Sequence, residues 1–192
     1  SKVGGLVGVN NDAKTMTNCY STSTVTAEQN GGGLVGYNYG VVSKCYAQGN
    51  VTSTKTAGGM VGYNDGTNAT VQNCFAMNQQ INATSSTGIA IRVIGGIKNS
   101  APTPEMNNYV LKTMAVSVNG VPQTIYDDNL NGLAKTDVQL KQLATFSSSN
   151  WDMTNIWGIE ETQTYPYLKC HTKFAAITFQ NYDGTVLQSS DV

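Results

Sequence analysis

The chain has 192 residues, enough for one or two domains, of which only 12% are charged, and its formal net charge is −1. Lys and Arg never stand side by side, which disfavours a nucleic-acid footprint or a polybasic membrane patch. No apolar run approaches the ~18 residues of a membrane-spanning helix. Gly, Asn, Thr and Ser take the place of charge, a composition suited to short strands and tight turns rather than long surface helices.

The first elements are repeats. Gly5-Leu6-Val7-Gly8, Gly33-Leu34-Val35-Gly36 and Gly59-Met60-Val61-Gly62 each open a unit. Each unit closes on a second word: Asn18-Cys19-Tyr20-Ser21, Lys44-Cys45-Tyr46-Ala47 and Asn73-Cys74-Phe75-Ala76. A fourth copy is degraded to Arg92-Val93-Ile94-Gly95 and Asn107-Asn108-Tyr109-Val110. The period of 26 to 34 residues marks a repeat architecture in which no unit buries its apolar face alone.

Stacking the units predicts columns of equivalent residues ~4.8 Å apart. Met16, Val42 and Val71 form one, Cys19, Cys45 and Cys74 the next, continued by Asn108. Tyr20, Tyr46, Phe75 and Tyr109 form an aromatic column, Ser21, Ala47 and Ala76 a small one, and Val25, Val51 and Ile81 close the unit. Strand alternation turns the cysteines and small residues inward and the aromatic column outward. Asn18, Lys44 and Asn73 are expected to face water. The cysteines are expected to be free thiols, since in-register stacking does not supply disulfide torsion. The chain opens inside a unit and reads as a fragment of a longer protein.

These words resemble the GLUG motif family, named for Gly-Leu-hydrophobic-Gly, over roughly residues 3–110. Such repeats occur in large bacterial surface proteins, including IgA-specific metalloproteases and adhesin-like proteins. The resemblance implies an all-β fold, a parallel β-helix, and no activity, because the repeats of the proteases lie outside their catalytic domain. About four coils are expected, taken as right-handed by the crossover rule for ordinary sheets.

Beyond the repeats, Lys98–Asn107, with Pro102 and Pro104, reads as a loop. Ala115–Val118 and Val121 flank Asn119-Gly120 as a small hairpin. Thr136 and Gln139 form a capping-box pattern, so one short helix is expected near 137–144, covering the open end of the solenoid. Trp151, Trp157 and Tyr165-Pro166-Tyr167-Leu168 resemble the segment that finishes the β-helix after GLUG repeats. Ala176–Gln180 and Thr185–Gln188 flank Asn181-Tyr182-Asp183-Gly184 as a second hairpin. It resembles the start of a Listeria–Bacteroides repeat, the β-grasp module of internalin B type. The expected division is a solenoid over 1–112, a cap over 113–171 and a truncated hairpin over 172–192.

Chemistry is sparse. The single His, His171, cannot make a zincin site, and beside Cys170 it is read as a linker residue rather than a base. Glycosidases need paired carboxylates at a defined separation, and the acids in the repeats, Asp12, Glu28, Asp65 and Glu105, are sparse and do not recur at equivalent positions. Asp127, Asp128 and Asn129 could form a weak Ca²⁺ site, without EF-hand spacing. No cofactor and no metal are expected. The speculative ligand site is the aromatic column, Tyr20, Tyr46, Phe75 and Tyr109, which could meet sugar rings or simply stabilise the sheet. Tyr37 and Tyr63 form a second short column with the same two readings, and Asn10, Asn38 and Asn64 an Asn ladder at a corner. The expected role is a non-catalytic, extracellular structural or adhesion segment of a bacterial cell-surface protein, monomeric within a larger chain, neither binding nucleic acid nor inserting in the membrane. The alternatives are a module binding a host glycan or a host or bacterial surface protein, and, more remotely, a β-helix polysaccharide-degrading enzyme.

Overall fold

The computed structural model describes residues 1–97, 107–128, 130–171, 176–180 and 186–191. It is a parallel β-solenoid of about four turns with one short α-helix. The second turn displays the pattern: strands Asn30–Gly32, Val35–Asn38, Val41–Ser43, Tyr46–Ala47 and Val51–Ser53. Each pairs in parallel with its equivalents in the rungs before and after. The expected columns are all in register. Met16, Val42 and Val71 pair directly, as do Tyr20, Tyr46, Phe75 and Tyr109, and the column Val25, Val51 and Ile81 continues to Val116.

The residues before the cysteines do more than face water. Asn18, Lys44 and Asn73 hold φ of 54°, 53° and 53°, the left-handed region that Asn tolerates and Lys does not favour. This kink ends one strand and turns the next, and it is where the cysteine becomes useful. Sγ of Cys19, Cys45 and Cys74 lies 3.2, 3.1 and 3.3 Å from the carbonyl oxygen two residues earlier, as its donor. Cys45 Sγ also accepts the backbone N–H of Cys19 (3.4 Å). In the last rung Asn108 takes over: its Oδ1 accepts Cys74 N–H (2.9 Å) and its Nδ2 donates to Val71 O (2.8 Å). The column is thus a hydrogen-bonding device as well as a small apolar filler, which explains why Asn substitutes for Cys. All four cysteines are free thiols.

A second corner carries the buried Asn ladder. Asn10 Nδ2 donates to Asn38 Oδ1 (2.8 Å), Asn38 Nδ2 to Asn64 Oδ1 (2.7 Å), and Asn64 Nδ2 to Ala69 O (2.9 Å). Asn38 Nδ2 also reaches Gly40 O across its own turn. Buried amides that pair rung to rung fix the stacking register without leaving a polar atom dry.

The solenoid does not stop at 112. Ala115–Val118 pairs in parallel with Gln80–Ala83, and Leu133–Lys135 with Tyr109–Leu111. Leu130 O accepts the N–H groups of Val93 and Ile94, just as Met60 O accepts those of Leu34 and Val35. A shortened fifth rung therefore closes this end. The hairpin of Ala115–Val118 with Val121–Pro122 forms as expected, with Asn119 and Gly120 both at positive φ. The expected loop at 98–106 lies outside the described residues, as does the Asn181–Gly184 turn. The strands Ala176–Gln180 and Val186–Asp191 pair antiparallel, as a hairpin should.

The fourth copy is specialised rather than degraded. An added Cβ at Gly5, Gly33 or Gly59 would lie 2.0–2.3 Å from the carbonyl oxygen of the next rung. Arg92 occupies the same position in the fourth rung, where the truncated fifth rung leaves room for a side chain. Its guanidinium donates to Asp127 Oδ1 (2.7 Å), Gly132 O (3.0 Å) and Tyr126 O (3.2 Å), and so ties the closing loop to the last full rung.

Candidate functional site

The aromatic column points out of the solenoid, as strand alternation requires, but it does not form an open strip. Tyr46 and Phe75 are buried, and Tyr20 and Tyr109 are half-buried. What covers them is the segment expected to close the solenoid end. The capping box forms, with Thr136 N–H donating to Gln139 Oε1 and Gln139 N–H to Thr136 Oγ1. It starts a 3-10 turn at Gln139–Lys141 followed by the α-helix Leu143–Ser147, slightly later than expected. From there the chain runs along the side of the solenoid, back toward the first rung.

Leu140, Phe146, Trp151 and Trp157 are all buried there, in one cluster with Tyr46 and Phe75. Phe75 meets Phe146 at 4.4 Å between ring centroids and Trp151 edge-on at 5.3 Å, while Tyr46 meets Trp157 at 5.8 Å. Both indoles grip the left-handed corners. Trp151 Nε1 donates to Asn73 O (2.9 Å) and Trp157 Nε1 to Asn18 Oδ1 (3.2 Å). Two aromatic residues that sequence reasoning placed in a cap are thus the lid on the column itself.

Within the column the rings spend their faces on each other. Tyr20 and Tyr46 stack at 5.0 Å and 15°, and Phe75 and Tyr109 at 5.1 Å and 27°. Lys135 Nζ sits 4.8 Å from the Tyr109 ring centre. A sugar stacks on an open ring face, and Tyr46, Phe75 and Tyr109 give up theirs to neighbouring rings, indoles and an ammonium group, while Tyr20, at the first rung, lines a cleft with Gly5, Leu6 and Leu168. The expectation of an exposed aromatic strip is therefore corrected for Tyr46 and Phe75, because the lid buries them. Burial also pushes the Tyr46 phenol well above its ordinary range.

The second column is more open. Tyr37 and Tyr63 are half-buried and stack at 5.1 Å, with Tyr39 4.8 Å from Tyr37. Lys2 Nζ lies 4.1 Å from the Tyr37 ring centre. The Tyr37 hydroxyl donates to Asp65 Oδ2 (2.9 Å), and burial followed by this bond raises its pKa. Gly96 stands in line with Tyr63, and a Cβ there would lie 2.7 Å from the ring. Tyr37 thus has a ring on one side, a cation near its face and its hydroxyl engaged.

Two of the scattered carboxylates in the repeats have local partners. Asp12 Oδ1 accepts Ala13 N–H, and Asp65 holds Tyr37. Glu105 and Asn129 lie outside the described residues. Asp127 is spent on Arg92, and Asp128 Oδ1 accepts the N–H groups of Leu130 and Asn131. Among the described residues there is no group of three His, Cys, Asp or Glu side chains placed to hold a metal ion. The Cys19 thiol is a poor nucleophile: the bond with Cys45, then burial, pushes its pKa far up. Among the described residues no helix is long and apolar enough to cross a membrane.

Sequence reasoning missed the Arg92–Asp127 tie and the indole grips. Arg92 could have been found as the one side chain where three rungs carry Gly. The grips had no local signal, since Trp157 meets Asn18 across almost the whole chain.

Comparison with known proteins gives one family match: the GLUG motif, over residues 27–52. No curated protein and no solved structure matches the chain. The matched stretch contains the second Gly-Leu-Val-Gly word and the Lys-Cys-Tyr-Ala word with the strands between them, so the molecule is a β-solenoid built on a GLUG motif.

Proposed function

We propose that this chain is a non-catalytic structural segment of a bacterial cell-surface protein, working outside the cell as a stiff spacer or presenting element. The observation that carries this reading is the fate of the aromatic column. Its rings stack on one another and lie under an aromatic lid, the arrangement of a load-spreading seam rather than of a ligand platform. The GLUG motif supports it as well, since such repeats are typical of surface proteins. In this reading the final hairpin is the start of a β-grasp module of the internalin B type.

Recognition of a glycan or of another surface protein is the competing role, and the half-exposed Tyr37–Tyr63 column is where it would act. Glycan-array screening of the purified chain separates the two. The expected result is no saturable binding. Saturable binding abolished by Tyr63→Ala, with an unchanged circular dichroism spectrum, would replace the spacer with a binding module.

A further inference from the structure

The two ends of the solenoid are built differently. The closing end departs from the repeat pattern. Arg92 replaces the glycine that a following full rung demands, Asn108 replaces cysteine, and Leu130 supplies a shortened rung. The first rung carries no such substitutions. It keeps Leu6, Gly8, Asn10, Cys19 and Tyr20 at their columns, although Val3, Val9 and Ser21 stand where the second rung has Gly31, Tyr37 and Ala47.

Gly8 is the sharpest case. Its equivalents are glycines because the rung before them comes too close. A Cβ at Gly36 would lie 2.5 Å from Val3 N and 2.8 Å from Gly8 O. At Gly62 it would lie 2.6 Å from Gly36 O, and at Gly95 2.6 Å from Gly62 O. At Gly8 the nearest heavy atom is Lys2 O at 3.1 Å, and no other lies within 4 Å. That single contact is tight, but the clashes below 3 Å that exclude a Cβ at Gly36, Gly62 and Gly95 would arise at Gly8 only if another rung stacked on this face. Leu6 makes the same point: Leu34, Met60 and Val93, its column mates, are fully buried, whereas Leu6 is 50% exposed.

The face is also shaped for such a rung. A cleft of about 420 Å³ opens over Gly5, Leu6, Cys19, Tyr20 and Ser21, with Leu168 of the lateral segment as its outer wall. In a preceding rung, residues at these same column positions would fill it, with an aromatic ring beside Leu168 continuing the Tyr20–Tyr46 stack. Cys19 Sγ would then receive an N–H as Cys45 Sγ receives that of Cys19, and Asn10 would extend the amide ladder.

We infer that the open face of the first rung is a stacking surface for a further β-rung of this same repeat pattern. The occupant has Gly at the Gly8 position, Asn at the Asn10 position and a Cys-aromatic-small word. This inference does not depend on the cellular location or the spacer role proposed above.

The test joins a copy of residues 30–54 directly to Ser1 of the full chain, since Thr56 pairs with Asn30 and Asn30 with Lys2, which places that copy one rung ahead. A chain extended by the same residues in scrambled order is the control. The expected result is a higher urea midpoint than the control and at least tenfold slower exchange of the Thr22 amide. The amides at the equivalent positions, Gln48 and Met77, donate to Ser21 O and Ala47 O of the rung before. Gly8→Ala should lower the midpoint of the 192-residue chain much less than Gly36→Ala does, and in the extended chain should lower it as much. Equal Gly8→Ala effects in both chains, or no gain over the scrambled control, would overturn the inference. So would a concentration-dependent dimer of the unextended chain that Leu6→Lys dissolves, because a second copy would then hold the face.

Discussion

Phe75→Ala tests whether the aromatic column is a seam. Phe75 is fully buried between the solenoid wall and the lateral segment, with Tyr109, Phe146 and Trp151 around it. Removing about 150 Å² of buried aromatic surface at about 25 cal/mol per Å² costs about 4 kcal/mol, within the range of about 3–5 kcal/mol for Phe→Ala in a core. Against a typical domain stability of about 5–15 kcal/mol, that is a large loss. Equilibrium urea unfolding, followed by far-UV circular dichroism and by tryptophan fluorescence, measures it. The indole signal should change even in the native state, because Trp151 meets Phe75 edge-on. Tyr109→Ala, at the half-buried end of the column, should cost roughly half as much. A loss below about 1 kcal/mol for Phe75→Ala, with an unchanged denaturant slope, would falsify the seam: the lateral segment would then contribute little to holding the solenoid.

Three further outcomes are expected. Cys45→Ser should be tolerated better than Cys45→Val in urea titrations, by about 1 kcal/mol or more, because Val leaves Cys19 N–H without its acceptor. Lys44→Asn should raise stability by about 1 kcal/mol, since Lys44 sits at φ 53° where the other rungs use Asn. Stability should fall at both pH extremes. Asp127, held low first by Arg92, and Asp137, held low first by Tyr165 and then Lys141, have folded pKa values below their unfolded ones. Their contribution is therefore full above the ordinary carboxylate range near ~4 and is lost as pH falls below it. Tyr46 is raised by burial, so its contribution is full below the ordinary phenol value of ~10 and is lost as pH rises beyond it. Urea midpoints across pH should show the acid limb flattened by Asp127→Asn and the alkaline limb by Tyr46→Phe.

The repeated words determined the rungs by themselves. A residue recurring at the same place in three units can only be a column, and Met16–Val42–Val71, Cys19–Cys45–Cys74 and Tyr20–Tyr46–Phe75 follow from that without any coordinates. Turn chemistry was local too, so Asn119-Gly120 and the Thr136–Gln139 box could be read directly from neighbouring residues. The tertiary structure decided which face each column shows to the rest of the chain. Nothing near Tyr46 in sequence says that Trp157 will lie on it, because that burial depends on a segment more than a hundred residues away choosing the side of the solenoid over its end. The meaning of Arg92 was likewise set in three dimensions: a side chain fits there only because the next rung is cut short, and its charge is held only because the closing loop brings Asp127 to it. Sequence periodicity fixes what is repeated, and long-range packing fixes where the repetition ends and what covers it.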